Sequence, residues 1–176
     1  FNSFTINDEQ APEKFVVFTP GAIYGPSKQW PWEHYRELAK LLHKTYGCKI
    51  LLLGTIDEIE LGKKIAQDHD WTYNFCGKTT LAQLLAVLTK AQMLVGNDSG
   101  SMHLMAAIQR PQIAFFGSTS TTWTGPINNN ASIMTRNLSC SPCFSRSCRF
   151  GHYDCLTKIN PENVLAEYKK TFQNVL

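Results

Sequence analysis

The sequence predicts an α/β fold, in which a Rossmann-like parallel sheet is covered by helices on both faces. Short apolar runs of four or five residues alternate with longer segments whose apolar residues recur at helical spacing. Uninterrupted apolar runs are typical of strands that are buried on both sides, as in parallel sheets. Because 176 residues with 43% hydrophobic content can bury one sizeable core, a single domain is expected.

The first unit along the chain is a strand, a loop and a helix. Residues 15–18 are an apolar, β-rich run that ends in a Pro-Gly turn. A helical stripe follows over residues 32–46, with Pro31 before it and Gly47 after it as start and stop signals. The same alternation predicts further strands at 49–53, 73–76, 93–96 and 112–116, and further helices at 56–68, 81–90 and 101–108.

The strongest candidate site is the turn Asn97-Asp98-Ser99-Gly100, where a strand leads into a helix. Ligands of open parallel sheets bind beyond the carboxyl ends of strands, and free N–H groups at a helix start suit a phosphate. Gly100 permits close approach, Ser99 offers a hydroxyl, and His103 lies one turn further on. Asp98 would repel phosphate but suits sugar hydroxyls. An ordinary helix cap, with His103 packed under the next loop, is the alternative.

Two further loops leave the same predicted edge of the sheet. In residues 20–31, Lys28 can place an ammonium group against a diphosphate, and Ser27 can donate beside it. The alternative is a solvated lysine, but convergence with the turn at 97–100 favours a shared phosphate site. In residues 54–58, which begin at Gly54, Glu58 can meet ribose hydroxyls, or the segment can serve only as a helix cap.

The cysteines fall into two groups. Cys48 and Cys76 lie singly in or beside apolar segments, where buried thiols are expected. The other four cluster with the spacing Cys-x2-Cys-x4-Cys-x6-Cys, with His152 as a spare ligand. In a reducing compartment four thiolates suit a structural tetrahedral zinc ion, and reduced thiols or disulfides are the alternatives. These candidate ligands are Cys140, Cys143, Cys148 and Cys155.

Composition excludes several classes of protein. Only 18% of residues are charged and the net charge is +3, so there is no basic stripe for nucleic acid. No apolar run approaches the ~20 residues of a membrane span, and there is no signal-peptide pattern, so a cytosolic location is expected. The chain begins at Phe1, and residues 1–14 are expected to be a linker cut from a longer polypeptide.

Taken together, these motifs resemble the C-terminal half of glycosyltransferase family nine, the ADP-heptose:lipopolysaccharide heptosyltransferases, most closely those of the heptosyltransferase II type. The matching features in the main part of the chain are Pro-Gly-Ala at 20–22, Lys28 with Trp30-Pro31, Leu53-Gly54, the turn at 97–100 with His103, and Arg110-Pro111 before Phe116-Gly117. The tail also matches, at Cys140-Ser141-Pro142-Cys143, Gly151-His152, Cys155-Leu156 and residues 159–162.

The resemblance implies the C-terminal domain of a GT-B type enzyme. Residues 15–176 would bind ADP-heptose, and a preceding domain, missing here, would bind the lipid A-Kdo inner-core acceptor of lipopolysaccharide. By position, Lys28 and Ser99-Gly100 would hold the diphosphate, with His103 behind them, and Asp98 would contact the heptose. Thr79 or Thr80 would lie near adenine. The general base would be an aspartate of the other half, so the isolated chain would bind donor without transferring sugar.

The resemblance also implies that catalysis needs no cofactor. The location it implies is cytoplasmic, at the inner face of the bacterial inner membrane, with peripheral membrane association. Two alternatives stay open: a sugar-nucleotide 2-epimerase, and a non-enzymatic nucleotide-binding or zinc-stabilised interaction domain. The sequence does not specify the donor sugar, the acceptor position or the oligomeric state.

Overall fold

The computed structural model describes residues 5–6, 9–10, 12 and 14–172. Near the start of the chain, strands β1 (Thr5–Ile6) and β2 (Glu9–Gln10) pair antiparallel, within the segment predicted to be a linker. None of the helices in the described ranges is long and apolar enough to cross a membrane.

The main sheet has six strands and all its neighbouring pairs are parallel. The strand order is β5-β4-β3-β6-β7-β8. This is the doubly wound order of a Rossmann fold, so the predicted fold class is confirmed. The strands are β3 (Phe15–Thr19), β4 (Lys49–Leu52), β5 (Thr72–Asn74), β6 (Met93–Asn97), β7 (Gln112–Phe116) and β8 (Ala131–Thr135).

Helices pack on both faces of this sheet. The helices are α1 (Trp32–Tyr46), α2 (Ile59–Ala66), α3 (Leu81–Lys90), α4 (Gly100–Ala107), α5 (Thr121–Thr124), α6 (Asp154–Thr157) and α7 (Pro161–Phe172). Short 3₁₀ turns cover Pro26–Lys28 and Ile56–Glu58. The predicted helix over 56–68 is therefore a 3₁₀ turn that leads into the shorter α2.

The residues of β3 show why both faces are covered. Val16 and Phe18 belong to one buried apolar cluster, which includes residues of α1 and α7. Phe15 and Val17 belong to a second cluster, which includes residues of α3 and α4. Because successive side chains of a strand point to opposite faces, an all-apolar strand needs a helical layer on each side.

The part of the fold that the sequence did not predict lies after residue 117. β8 is an edge strand whose residues are only partly buried, so its hydrophobic pattern is weak. In α7, Val164 and Tyr168 are buried one turn apart, after Pro161 as the first helical residue. That pattern was available in the sequence and indicates a helix.

β3 and β6 lie side by side at the centre of the sheet, with Thr19 in register with Gly96. The strand order reverses between them, since the chain runs outward from β3 to β5 and then returns to β6 on the other side. In doubly wound sheets this switch point opens a crevice beyond the carboxyl ends of the strands. The loops after β3 and β6 therefore form the walls of the candidate site.

Candidate functional site

A cavity of about 330 Å³ opens at this switch point. It is bounded by the loops that follow β3, β4 and β5 and by the start of α4. Six of the predicted site residues line it: Gly54, Glu58, Thr79, Thr80, Ser99 and Gly100. Residues outside the prediction also line it, among them Thr19, Gly21, Ala22, Ile23, Leu81, Leu84 and Ser101.

Part of the cavity wall is apolar. Leu53, Leu81 and Leu84 contribute to its wall, and Leu81 is 70% exposed. Ile23, which also lines the cavity, is 87% exposed. Exposed aliphatic side chains beside a cavity are suited to cover a flat apolar ligand surface.

A carboxylate also lines the cavity. The backbone N–H of Thr55 donates to Oε2 of Glu58 at 2.7 Å. The same carboxylate packs against Gly21 and Gly54, where any side chain would collide with it. Glu58 therefore caps its own helical turn and also lines the cavity, and its predicted contact with ribose hydroxyls stays a prediction.

Thr80 is the N-cap of α3, and its Oγ1 accepts from the N–H of Gln83 at 3.2 Å. The side-chain Oε1 of Gln83 in turn accepts from the N–H of Thr80 at 2.8 Å. This reciprocal capping box holds the start of α3 against the cavity. Thr79, one residue earlier, also lines the cavity.

Lys28 and Asp98 form a buried ion pair beside this cavity. Lys28 Nζ lies 2.7 Å from Oδ2 of Asp98, and their side chains are 11% and 3% exposed. The same Oδ2 accepts from Oγ1 of Thr119 at 2.6 Å and from Oγ1 of Thr124 at 3.0 Å. Neither threonine is among the predicted site residues, although both lie beyond the carboxyl end of β7.

The side chain of Asn97 is fully buried, bonds within the protein and does not line the cavity, so its predicted ligand contact stays a prediction. Oδ1 accepts from the backbone N–H of Trp30 at 3.0 Å and from the hydroxyl of Tyr35 at 3.2 Å. Nδ2 donates to the carbonyls of Pro20 at 2.7 Å and Gly21 at 3.1 Å. Asn97 thus anchors the loop after β3 and acts as a positioning residue.

Ser27 does not line the cavity either, and its predicted donation to the diphosphate stays a prediction. Its hydroxyl is buried, donates to the carbonyl of Ser145 and accepts from the hydroxyl of Ser118 at 3.0 Å. It therefore lies in a contact with the cysteine-rich segment, away from the cavity. His103 is exposed on α4 and does not line the cavity, so its predicted role behind the phosphates stays a prediction.

The cysteine-rich segment, residues 140–155, supports the loop that holds Lys28. The N–H of Ser27 donates to the carbonyl of Arg146 at 3.2 Å. The hydroxyl of Tyr24 donates to the carbonyl of Phe144 at 2.6 Å, and the ring of Tyr24 lies 4.7 Å from Lys28 Nζ. The conformation of the Lys28 loop therefore depends on a segment more than a hundred residues away in sequence.

Cys48 and Cys76 are buried thiols, as predicted. Burial raises the pKa of Cys48, and burial together with nearby Glu58 raises the pKa of Cys76 to about 12. At neutral pH both are therefore protonated packing residues.

The four remaining cysteines line a second, small cavity of about 20 Å³, together with His152. In the part of the chain that the structure describes, however, no group of three or more His, Cys, Asp or Glu side chains is arranged to hold a metal ion. Their environments differ. Backbone N–H groups, that of Tyr153 foremost, lower the pKa of Cys148, whereas burial and the neighbouring thiols, Cys143 first among them, raise the pKa of Cys155.

Comparison with known proteins places this geometry in a family. Residues 1–154 match the family model of glycosyltransferase family 9 (heptosyltransferase). Lipopolysaccharide heptosyltransferase 2 of Escherichia coli (strain K12) is 32% identical over 171 residues, which cover 94% of this chain and 48% of that protein. The chain thus spans about half the length of the curated relatives it matches.

Two solved structures of heptosyltransferases have a fold similar to that of this chain. The structure of E. coli ADP-heptose LPS heptosyltransferase II has a TM-score of 0.83 and 31% identity, covering 96% of this chain and 49% of that one. E. coli heptosyltransferase WaaC with ADP has a TM-score of 0.73 and 27% identity, covering 90% of this chain and 44% of that one.

Replacing Asn97 with alanine should destabilise the fold, because it removes hydrogen bonds from a fully buried amide and leaves their partners unsatisfied. We expect a loss of about 2–4 kcal/mol in the free energy of unfolding, measured by urea denaturation. The exposed Asn129→Ala is the matched control and should change the free energy little. Equal stabilities of the two variants would show that Asn97 does not anchor the loop.

Alkylation should distinguish the cysteines of reduced, chelator-treated protein. Because the thiolate is the reactive form, Cys148 should react with iodoacetamide at pH 7 several times faster than Cys155, and buried Cys48 and Cys76 slowest. Peptide mass spectrometry over time gives the order. Faster labelling of Cys155 than of Cys148 would contradict the proposed effect of the N–H groups.

Proposed function

The chain belongs to glycosyltransferase family 9, and from this premise we propose that it is the donor-binding half of a heptosyltransferase. The whole enzyme would transfer heptose from ADP-heptose to the inner core of lipopolysaccharide. The observation that supports this most is the position of the cavity, between an acidic loop, an apolar wall and the start of α4, beside the Lys28–Asp98 pair.

The apolar, hydroxyl and carboxylate groups that line the cavity support a nucleoside ligand. Adenine would lie against Leu81 and Leu84, near the hydroxyls of Thr79 and Thr80. The ribose hydroxyls would donate to the carboxylate of Glu58, which its own capping hydrogen bond already holds in place. A volume of about 330 Å³ is at the lower end of the range usual for pockets of small ligands.

The diphosphate would lie at the N-terminus of α4. Ser99 and Gly100 line the cavity there, and no atom lies within 4 Å of where a side chain on Gly100 would begin. The free N–H groups of the first turn and the helix dipole both favour a phosphate. Lys28 would turn from Asp98 towards this charge, and His103 on the same helix would support it from behind. Asp98 would accept hydrogen bonds from heptose hydroxyls.

These groups can assist the reaction. As the bond between the sugar and the β-phosphate breaks, negative charge develops on the departing ADP. Fixed N–H dipoles and the Lys28 ammonium group would stabilise that charge, so no metal ion or other cofactor is required at this step. The acceptor hydroxyl must lose a proton to a positioned base, which we place on an aspartate of the other half.

The remaining parts of the proposal concern the whole enzyme. Residues 1–14 would connect to the acceptor-binding half, and residues 15–176 would form the donor-binding domain. The acceptor, a lipid A-Kdo inner core, would bring the enzyme to the cytoplasmic face of the inner membrane by peripheral association. The matched relatives are heptosyltransferases, so the 2-epimerase and interaction-domain alternatives are set aside.

Calorimetry with the chain tests the donor site. We expect binding of ADP and ADP-heptose and much weaker binding of UDP-sugars. Lys28→Met, which keeps the aliphatic stem but removes the charge, should weaken ADP binding about 10- to 100-fold, because it removes a charge-assisted hydrogen bond. Lys44→Met, at an exposed lysine of α1, is the matched control. Preference for UDP, or equal ADP binding by both variants, would contradict the proposed site.

A structural zinc ion in the cysteine-rich segment is a separate proposal, supported by the four thiols that line one small cavity and by the N–H groups around Cys148. Binding would have to draw the side chains together. Protein purified without chelator should contain about one zinc ion per chain by elemental analysis. Cys140→Ser should lose it, and Cys48→Ser should keep it. Zinc-free protein with titratable thiols would overturn this proposal.

A further inference from the structure

One carboxylate oxygen, Oδ2 of Asp98, receives three donors. Lys28 Nζ lies at 2.7 Å, Thr119 Oγ1 at 2.6 Å and Thr124 Oγ1 at 3.0 Å. The Asp98 side chain is 3% exposed, so these groups take the place of water around its charge. The backbone N–H of Asp98, bonded to the carbonyl of Phe115 at 3.2 Å, holds the residue against β7.

This arrangement raises a problem of charge balance when the donor binds. Lys28 is the counterion of Asp98 here, but the proposed function also requires it at the diphosphate. A buried carboxylate that loses its counterion is costly unless other donors remain. Hydrogen bonds to a charged group are stronger than those between neutral groups. The two threonine hydroxyls are the donors that would remain on Asp98.

The two threonines come from a part of the chain that does not line the donor cavity. Thr119 lies in the loop after β7 and is 8% exposed, and Thr124 is the last residue of α5. The carbonyl of Ser120 lies 3.2 Å from the same hydroxyl and competes with Asp98 for its single proton. Neither residue lines the donor cavity, and their hydrogen bonds to Asp98 are the route by which they can affect donor binding.

We infer that Thr119 and Thr124 are positioning residues. Their hydrogen bonds stabilise the buried negative charge of Asp98 when Lys28 moves to the donor diphosphate. This inference rests on the proposed function. All three donors meet Oδ2, so Oδ1 is the oxygen that this arrangement leaves for the heptose hydroxyls. The threonines thereby allow Lys28 to leave Asp98 for the diphosphate. They also orient the Asp98 carboxylate so that Oδ1 faces the sugar.

A thermodynamic cycle tests the inference, with ADP and ADP-heptose titrated into the chain by calorimetry. Thr119→Val removes one donor and keeps the side-chain shape, so Asp98 should retain Lys28 more strongly and ADP affinity should fall about tenfold. Thr119→Ser restores the hydroxyl and should bind within about twofold of the parent chain. Thr124→Val should act in the same direction, with a smaller effect, because its hydrogen bond is longer.

The second arm of the cycle uses Asp98→Asn. A neutral amide no longer competes for Lys28, so ADP should bind several times more tightly. The additional affinity of ADP-heptose over ADP, which the heptose provides, should be lost. In this background Thr119→Val should change ADP affinity less than about twofold, because its effect passes through the carboxylate. Circular dichroism and thermal melting confirm folding, and Thr124→Val replaces Thr119→Val in the cycle if that variant does not fold.

The outcomes separate the two proposals. If the parent chain binds neither ADP nor ADP-heptose, the proposed function fails and this inference fails with it. If the parent chain binds both and Thr119→Val binds them equally well, only this inference is overturned. Equal losses of affinity on Thr119→Val in the parent chain and in the Asp98→Asn variant would also overturn it, because Thr119 would then act by another route.

Discussion

The buried side-chain amide of Asn97 is the interaction on which the geometry of the site depends. It connects the end of β6 to the loop after β3 through two carbonyls, and to Trp30 and Tyr35 through its oxygen. An amide is suited to this role, because it can donate two hydrogen bonds and accept two more. These bonds hold the start of the loop after β3 against the end of β6, where Gly21 lines the cavity.

The second constraint is electrostatic. Asp98 and Lys28 are both withdrawn from water, and each would be costly without the other. In the structure they neutralise one another, so the site is stable before any ligand arrives. In the proposed function, a bound diphosphate would replace Asp98 as the anion beside Lys28. The threonine hydroxyls on Asp98 would lower the cost of that exchange, since the carboxylate would keep their hydrogen bonds.

A third contribution comes from the cysteine-rich segment. Its backbone carbonyls accept hydrogen bonds from Ser27 and Tyr24, on either side of Gly25. The backbone angle φ of Gly25 is 143°, and a Cβ atom added to Gly25 would lie 2.5 Å from the carbonyl oxygen of Arg146. Only glycine permits this close approach. The Lys28 loop is therefore shaped as much by the tail of the domain as by β3.

The sequence by itself determined five strands of the parallel sheet, the helices as far as α4 and the position of the turn at Ser99 and Gly100. These features follow from the spacing of apolar residues and from glycine and proline at element ends, which are properties of neighbouring residues. The family resemblance also followed from local motifs. Cys48 and Cys76 were correctly placed in the core for the same reason.

Only the tertiary structure decided the roles of the polar side chains. Asn97 and Ser27 belong to motifs that suggest ligand contact, yet both side chains are buried and bond to residues 77 and 118 positions away in the sequence. Thr119 lies in a polar loop and Thr124 ends the short helix α5, and their bonds to Asp98 span 21 and 26 residues. The hydrogen bonds of a buried polar group depend on which distant segments fold against it, and local spacing does not contain that information.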